Sequence, residues 1–116
     1  MKWYKHLYVG ESLTEKKEKV MKRLNHNVLQ PNVYVIVLAE NGKDNFRILS
    51  SLELLQKGYP KEDLTVVGIA KGKEEAFLLV GQMIQDVLEK TGSVDRDSVA
   101  QFFDSRGGHT SHDYMH

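Results

Sequence analysis

The sequence predicts an α/β fold, a single small βαβαβα domain with a three-stranded, mainly parallel sheet flanked by helices. Three observations favour this class. Residues 33–39 (VYVIVLA) form an uncharged run with four β-branched residues, typical of a strand buried on both faces. A second apolar run covers residues 64–70, and segments with helical periodicity alternate with these runs. Alternating strands and helices imply right-handed crossovers and therefore parallel pairing.

The composition narrows the class of protein. A chain of 116 residues is sufficient for one core. Sixteen basic residues balance sixteen acidic ones, so no overall field attracts nucleic acid or an anionic membrane. The chain has no cysteine, which excludes disulfides and thiolate metal sites and is typical of a cytoplasmic protein. The N-terminal residues lack a signal-peptide core, and no run reaches the roughly 20 apolar residues of a membrane span.

The first strand is predicted over residues 3–9, closed by Gly10. Lys5 and His6 make it more polar than the other strands, so we expect it at an edge of the sheet. The most apolar strand, residues 33–39, then takes the centre in strand order 1-2-3. The alternative order 2-1-3 would place the polar first strand in the middle. Either order leaves two open edges, and open edges are usually capped or paired. A homodimer is therefore expected, although a covering helix would serve equally well.

The first helix is predicted over residues 13–27. Ser12 is a suitable N-cap, and Glu15 at the third helical position would complete a capping box. The apolar stripe of this helix consists of Leu13, Val20, Met21, Leu24 and Val28. The remaining surface carries the basic residues Lys16, Lys17, Lys19, Lys22 and Arg23.

A second helix is predicted to begin at Asp44 or Asn45 and to end at Gly58 and Pro60. Its buried stripe would consist of Ile48, Leu52, Leu55 and Tyr59. A third helix follows Gly72, runs to residue 90 and ends at Gly92. Its buried stripe would consist of Phe77, Val80, Ile84, Val87 and Leu88. A short fourth helix is expected over residues 97–103. We assign residues 1–104 to the domain and residues 105–116 to a flexible C-terminal tail.

In an open parallel sheet, ligands bind beyond the carboxyl ends of the strands. The candidate ligand-binding residues at this rim are Glu11, Ser12, Asn41, Lys71 and Glu74. Residues 68–73 do not form a phosphate-binding loop, because three residues separate the glycines where four are required, and a glutamate replaces the magnesium-binding hydroxyl. The sequence indicates no catalytic residue and no cofactor.

Two other patterns give weaker signals. His109, His112 and His116 have a spacing that could place metal ligands on one helix face, but they follow two glycines in the expected tail, so we predict adventitious affinity and no dedicated metal site. The basic surface of the first helix is interleaved with Glu15 and Glu18 and lacks an aromatic platform, which favours a solvated surface over nucleic-acid binding.

Four segments, residues 6–13, 33–36, 54–59 and 66–72, resemble a group of small bacterial α/β proteins of unknown function. The resemblance covers most of the chain up to residue 94 and implies that the whole domain is the natural unit. It implies no activity, ligand or catalytic residue. The sequence therefore favours a cytosolic, non-enzymatic interaction or binding module that self-associates. The alternatives are a ligand-binding regulator or hydrolase using the strand-end rim and, more weakly, nucleic-acid binding through the first helix.

Overall fold

The structure is a computed structural model that describes residues 1–39 and 46–105. Within these residues, a four-stranded mixed sheet lies between two helical layers, which confirms the α/β class. The strands are β1 (Lys2–Val9), β2 (Val33–Leu38), β3 (Phe46–Ser50) and β4 (Thr65–Lys71). The helices are α1 (Lys17–Asn25), α2 (Ser51–Leu54), α3 (Lys73–Thr91) and α4 (Arg96–Ser105), with 3-10 turns at Glu11–Lys16 and Lys61–Asp63. None of the described helices is long and apolar enough to cross a bilayer.

The strand order is β1-β4-β2-β3, which differs from both predicted orders. β1 and β4 are parallel, whereas β2 runs antiparallel to both β3 and β4. The prediction of a three-stranded, mainly parallel sheet is therefore wrong beyond its coarse class. A parallel crossover needs a dozen or more residues, and the chain between β2 and β3 is shorter than that, so the two strands pair antiparallel.

The segment expected to begin the second helix is instead strand β3 followed by a short helix. Ser50 caps α2, because its hydroxyl accepts a hydrogen bond from the Glu53 N–H at 3.2 Å. The Ser50 N–H in turn donates to Glu53 Oε1 at 3.1 Å, which completes a capping box. Leu52, expected in the buried stripe, is 57% exposed. The helix therefore starts after the strand and ends before Gly58.

The first helix also begins later than expected. Residues 11–16 form a 3-10 turn without a side-chain cap, so the predicted capping box of Ser12 and Glu15 is absent from this turn. The buried stripe is confirmed for Leu13, Val20, Met21 and Leu24. Val28 lies beyond the end of α1 and is 44% exposed, so its assignment to the stripe was wrong.

The core consists of two clusters, one on each face of the sheet. The α1 and α2 side contains Val35 and Val37 of β2, and the α3 and α4 side contains Ile36. All three side chains are fully buried, which confirms that this run is shielded on both faces. Full burial of each such side chain contributes about 1.5 to 3 kcal/mol. β2 therefore anchors both layers of helices.

β1 lies at an edge of the sheet, as predicted from its polar residues. Its pairing with β4 is irregular, because Trp3 lies opposite Val66 whereas Tyr8 lies opposite Gly68. Lys5 and His6 are exposed within this irregular part of the strand. The polar residues of β1 are thus accommodated where the ladder is interrupted.

The ends of α3 are confirmed, but its predicted buried stripe is mostly wrong. Gly72 precedes the helix, and Gly92 ends it in the left-handed conformation with φ of 82°. The buried residues are Ala76, Met83 and Val87, of which only Val87 was expected. From the predicted stripe, Phe77, Ile84 and Leu88 are exposed, and Val80 is partly buried against the core.

The sheet decides which face of α3 is buried. A Cβ on Gly68 of β4 would lie 2.7 Å from Met83 Cε, so glycine leaves the room that Met83 occupies. The small side chain of Ala76 is also fully buried. α4 packs beside α3 and buries Val99, Phe102 and Phe103, which confirms the expected fourth helix.

Candidate functional site

Because β1 and β4 pair in parallel, their carboxyl ends lie side by side at the same end of the strands. A cleft of about 530 Å³ lies there, between the turn after β1 and the first turns of α3. Three of the predicted residues, Glu11, Lys71 and Glu74, line this cleft. Because β2 is antiparallel to β4, the carboxyl end of β2 lies at the opposite end of the sheet from the cleft. Asn41 follows that end and lies outside the described residues.

Ser12 reaches the edge of the cleft through its backbone N–H and its hydroxyl, both of which hydrogen-bond to Glu75. Its N–H donates to Glu75 Oε2 at 3.2 Å, and the Lys71 N–H donates to Glu75 Oε1 at 2.9 Å. Glu75 thus joins the ends of β1 and β4 to α3. A Cβ on Gly10 would lie 2.5 Å from Glu75 Cδ and 2.8 Å from Glu75 Cγ, so a side chain at position 10 would displace Glu75 from its hydrogen-bonded position.

Sequence reasoning missed Glu75, which occupies the third position of α3. A glutamate there commonly reaches back to a free backbone N–H, and that is the signal that could have found it. Partial burial opposes its ionisation, but hydrogen bonds from Lys71 and Ser12 and the charge of Lys71 outweigh this effect and lower its pKa. The Glu75 carboxylate therefore has a structural role, because it accepts hydrogen bonds from the backbone at the ends of both β1 and β4.

The charges of the cleft are mainly acidic. Glu11, Glu74 and Glu75 supply three carboxylates against the single ammonium of Lys71. Leu78 and Leu79 add apolar surface. This lining repels phosphate and other anions and suits a cation with an apolar part. Within the described part of the chain, no histidine lines the cleft, and the Ser12 hydroxyl at its edge hydrogen-bonds to the Glu75 carboxylate.

A different surface lies on the outer flank of α3. Phe77, Gly81, Ile84 and Leu88 recur at helical spacing along one face, which we call the α3 stripe. The three side chains of the stripe are 61%, 39% and 50% exposed. No atom lies within 4 Å of a Cβ built on Gly81, so the packing of this chain does not require glycine there. A glycine inside a helix costs about 1 kcal/mol relative to alanine.

The α3 stripe faces away from β1. Asp86 accepts a hydrogen bond from the Tyr8 hydroxyl of β1 at 2.5 Å. Because Asp86 is two residues from both Ile84 and Leu88, it lies on the opposite side of the helix from them. α3 packs chiefly on β4 and β2, so the stripe points over the β3 end of the sheet.

The sheet beneath that flank is only partly covered. Tyr34, Phe46 and Ile48 lie on the α3 side of β2 and β3 and are half-buried, and we call them the β3 shelf. Phe103 of α4 contacts Phe46 edge to face, with ring centroids 6.0 Å apart, and covers one end of the shelf. The α3 stripe and the β3 shelf therefore lie on the same flank of the molecule.

β3 is also an edge strand of the described sheet, since it pairs with β2 alone. Its outer N–H and C=O groups point away from the sheet, where another strand could pair with them. The pairing of β3 with β2 is regular from Phe46 opposite Leu38 to Ser50 opposite Tyr34. The outer edge, the stripe and the shelf lie on one side of the molecule, which we call the β3 side.

The remaining candidates from the sequence are not brought together into a site. The basic residues of the first helix are exposed or half-exposed, with Glu15 and Glu18 exposed among them, so the surface carries mixed charge. His6 is exposed beside Tyr4, with ring centroids 5.9 Å apart. His109, His112 and His116 lie outside the described residues, and residues 1–39 and 46–105 contain no group of three potential metal ligands.

Because the comparisons with known proteins found no match, function is inferred from these surfaces alone. No protein-family model matches the chain, and neither a curated protein nor a solved structure is significantly similar to it.

Proposed function

We propose that this protein is a cytosolic, non-enzymatic interaction module that forms a homodimer through the β3 side. The observation that carries the proposal is that the exposed α3 stripe and the outer edge of β3 lie on the same side of the molecule. Each surface favours association for its own reason. Apolar side chains gain from burial, and an open strand edge invites pairing. One docking partner would satisfy both.

The free energy gained by burying the α3 stripe supports an interface that includes more than the stripe. The exposed fractions of Phe77, Ile84 and Leu88 amount to roughly one and a half complete side chains. Burying them contributes about 2 to 4 kcal/mol per copy, or about twice that in a symmetric dimer. Association costs about 4 to 15 kcal/mol in lost freedom of motion. The β3 shelf and the hydrogen bonds of the strand edge must therefore contribute as well.

The oligomeric state tests this proposal directly. Light scattering after size-exclusion chromatography should give the mass of a dimer for the natural chain. The paired substitutions Ile84→Lys and Leu88→Lys should weaken the dimer by at least about tenfold, because each desolvates a charge. Leu78→Lys is the matched control, since Leu78 is on the same helix and 75% exposed but lines the acidic cleft. A natural chain that stays monomeric at high concentration would contradict the proposal.

A second candidate function is a ligand-binding regulator that uses the cleft, because β1 and β4 bring Glu11, Lys71 and Glu74 together. The excess of carboxylates favours an organic cation, such as a polyamine, over an anion. Thermal-shift measurements with polyamines and with nucleotides should then show stabilisation by the amines alone. Glu11→Gln with Glu74→Gln should abolish that shift. Equal responses to both ligand classes would contradict this candidate.

A further inference from the structure

The two edges of the described sheet differ in how well they could accept another strand. Along β1, the ladder is interrupted between Trp3 and Tyr8, and Lys5 is exposed in that stretch. Irregularity and lysine are the devices by which edge strands avoid pairing. Along β3, all five residues pair in unbroken register with β2. β3 therefore keeps the straight, regular edge that strand addition requires.

We propose that β3 pairs antiparallel with β3 of a second copy around a two-fold axis at Ile48, which joins the two sheets into one continuous sheet. This inference rests on the proposed function and specifies its geometry. A two-fold axis makes the pairing isologous, so the same outer groups donate and accept in both copies. The β3 side then becomes the interface.

The charge on the strand selects the register. Arg47 is the one charged residue of β3, and it is exposed. A two-fold axis at Arg47 would place two guanidinium groups opposite each other, and like charges in that position are destabilising. An axis at Leu49 would leave Phe46 beyond the end of the opposing strand. An axis at Ile48 avoids both problems, because it pairs all five residues and places Arg47 opposite Leu49 of the second copy.

This register also suits the apolar surfaces. Phe46 and Ile48 lie on the α3 side of the sheet, so the two Ile48 side chains become neighbours there and the two shelves join. β-branched pairs across antiparallel strands are favourable. Both α3 helices then lie on the same face of the continuous sheet. Because each α3 stripe points toward its own β3, the two stripes face each other across the two-fold axis.

The absence of cysteine from the chain allows a direct test by disulfide formation. Residues opposite each other have Cβ atoms about 4.5 to 5.5 Å apart, which a disulfide can bridge with little backbone movement. Under mild oxidation, Ile48→Cys should therefore convert most of the protein to a covalent dimer. Lys5→Cys, on the exposed part of the other edge strand, is the matched control and should give almost none.

A second pair of variants tests the register without altering Ile48. In the proposed register, position 46 lies opposite position 50 of the second copy. A mixture of Phe46→Cys and Ser50→Cys should cross-link, whereas Phe46→Cys alone should not, since the two equal positions are separated by about 13 Å along the strands. Cross-linking of Phe46→Cys alone would overturn the register.

The outcomes separate this inference from the proposed function. A dimer in solution that cross-links at neither Ile48→Cys nor the 46–50 pair overturns the strand pairing but leaves self-association intact. A monomer overturns both. A monomer whose β3 amides exchange faster when residues 106–116 are removed would show that the C-terminal residues of the same chain cover this edge, which also overturns the inference.

Discussion

The hydroxyl of Tyr8 donates a hydrogen bond to Asp86 Oδ2 at 2.5 Å and thereby connects the edge strand β1 to α3. Gln82 donates to the other carboxylate oxygen at 2.9 Å. Since Asp86 lies opposite the α3 stripe, this contact supports the rotation of the helix that the packing of Met83 against Gly68 sets. The direction in which the stripe points therefore depends both on apolar packing against the sheet and on a polar contact on the other flank.

We expect Tyr8→Phe to lower the free energy of unfolding by about 1 to 3 kcal/mol, because a hydrogen bond to a charged group is lost. Gln82→Ala is the control, since it removes an exposed contact between residues one turn apart and should cost only about 0.2 to 0.5 kcal/mol. Urea denaturation of both variants measures the difference. Equal losses would show that the Tyr8 contact does not hold α3 in place.

The carboxylate of Glu75 should make stability depend on acid. Hydrogen bonds from Lys71 and Ser12, together with the charge of Lys71, outweigh partial burial and hold its pKa below the ordinary value of 4.5. Its contribution is therefore complete above about pH 4.5 and is lost as the pH falls through the lower pKa of the folded state. Urea midpoints measured from pH 6 to pH 3 should fall more steeply for the natural chain than for Glu75→Gln. Parallel profiles would contradict this role.

The contact of Gly10 with Glu75 gives a steric prediction. Gly10→Ala should destabilise the fold by about 1 to 3 kcal/mol, because the added methyl group overlaps the Glu75 side chain. Gly81→Ala adds the same methyl group where no atom lies within 4 Å, and it should stabilise the monomer by about 0.5 to 1 kcal/mol. Thermal unfolding at low protein concentration distinguishes the two. Equal destabilisation would show that the cleft tolerates a side chain at position 10.

The sequence predicted those parts of the fold whose signal is local. The apolar run of β2, the edge position of β1 and the ends of α3 at Gly72 and Gly92 are confirmed. The grouping of Glu11 with Lys71 was also predictable, because β1 and β4 are parallel as expected. The first three features depend on residues close together in the chain, and the last depends on the relative direction of two strands.

The remaining features depend on contacts between distant residues. The segment after residue 45 carries two periods at once, since Ile48 and Leu52 are one helical turn apart while Phe46, Ile48 and Ser50 alternate as in a strand. Pairing with β2 decides in favour of the strand. In α3, hydrophobicity favoured Phe77 and its neighbours for burial. The room above Gly68 selects Met83 instead, and this room exists only in the assembled sheet.

The two possible capping boxes allow the revised boundaries to be tested. The sequence supports one at Ser12 and Glu15 and another at Ser50 and Glu53, and in the described structure the second one forms. Ser50→Ala should cost about 1 kcal/mol of stability, because the Glu53 N–H loses its acceptor. Ser12→Ala should cost less, since it removes the hydroxyl that hydrogen-bonds to Glu75 but leaves the backbone N–H that also donates to this carboxylate. Chemical denaturation of the two variants measures this ratio, and a larger loss for Ser12→Ala would contradict the assignment of the capping box to Ser50 and Glu53 alone.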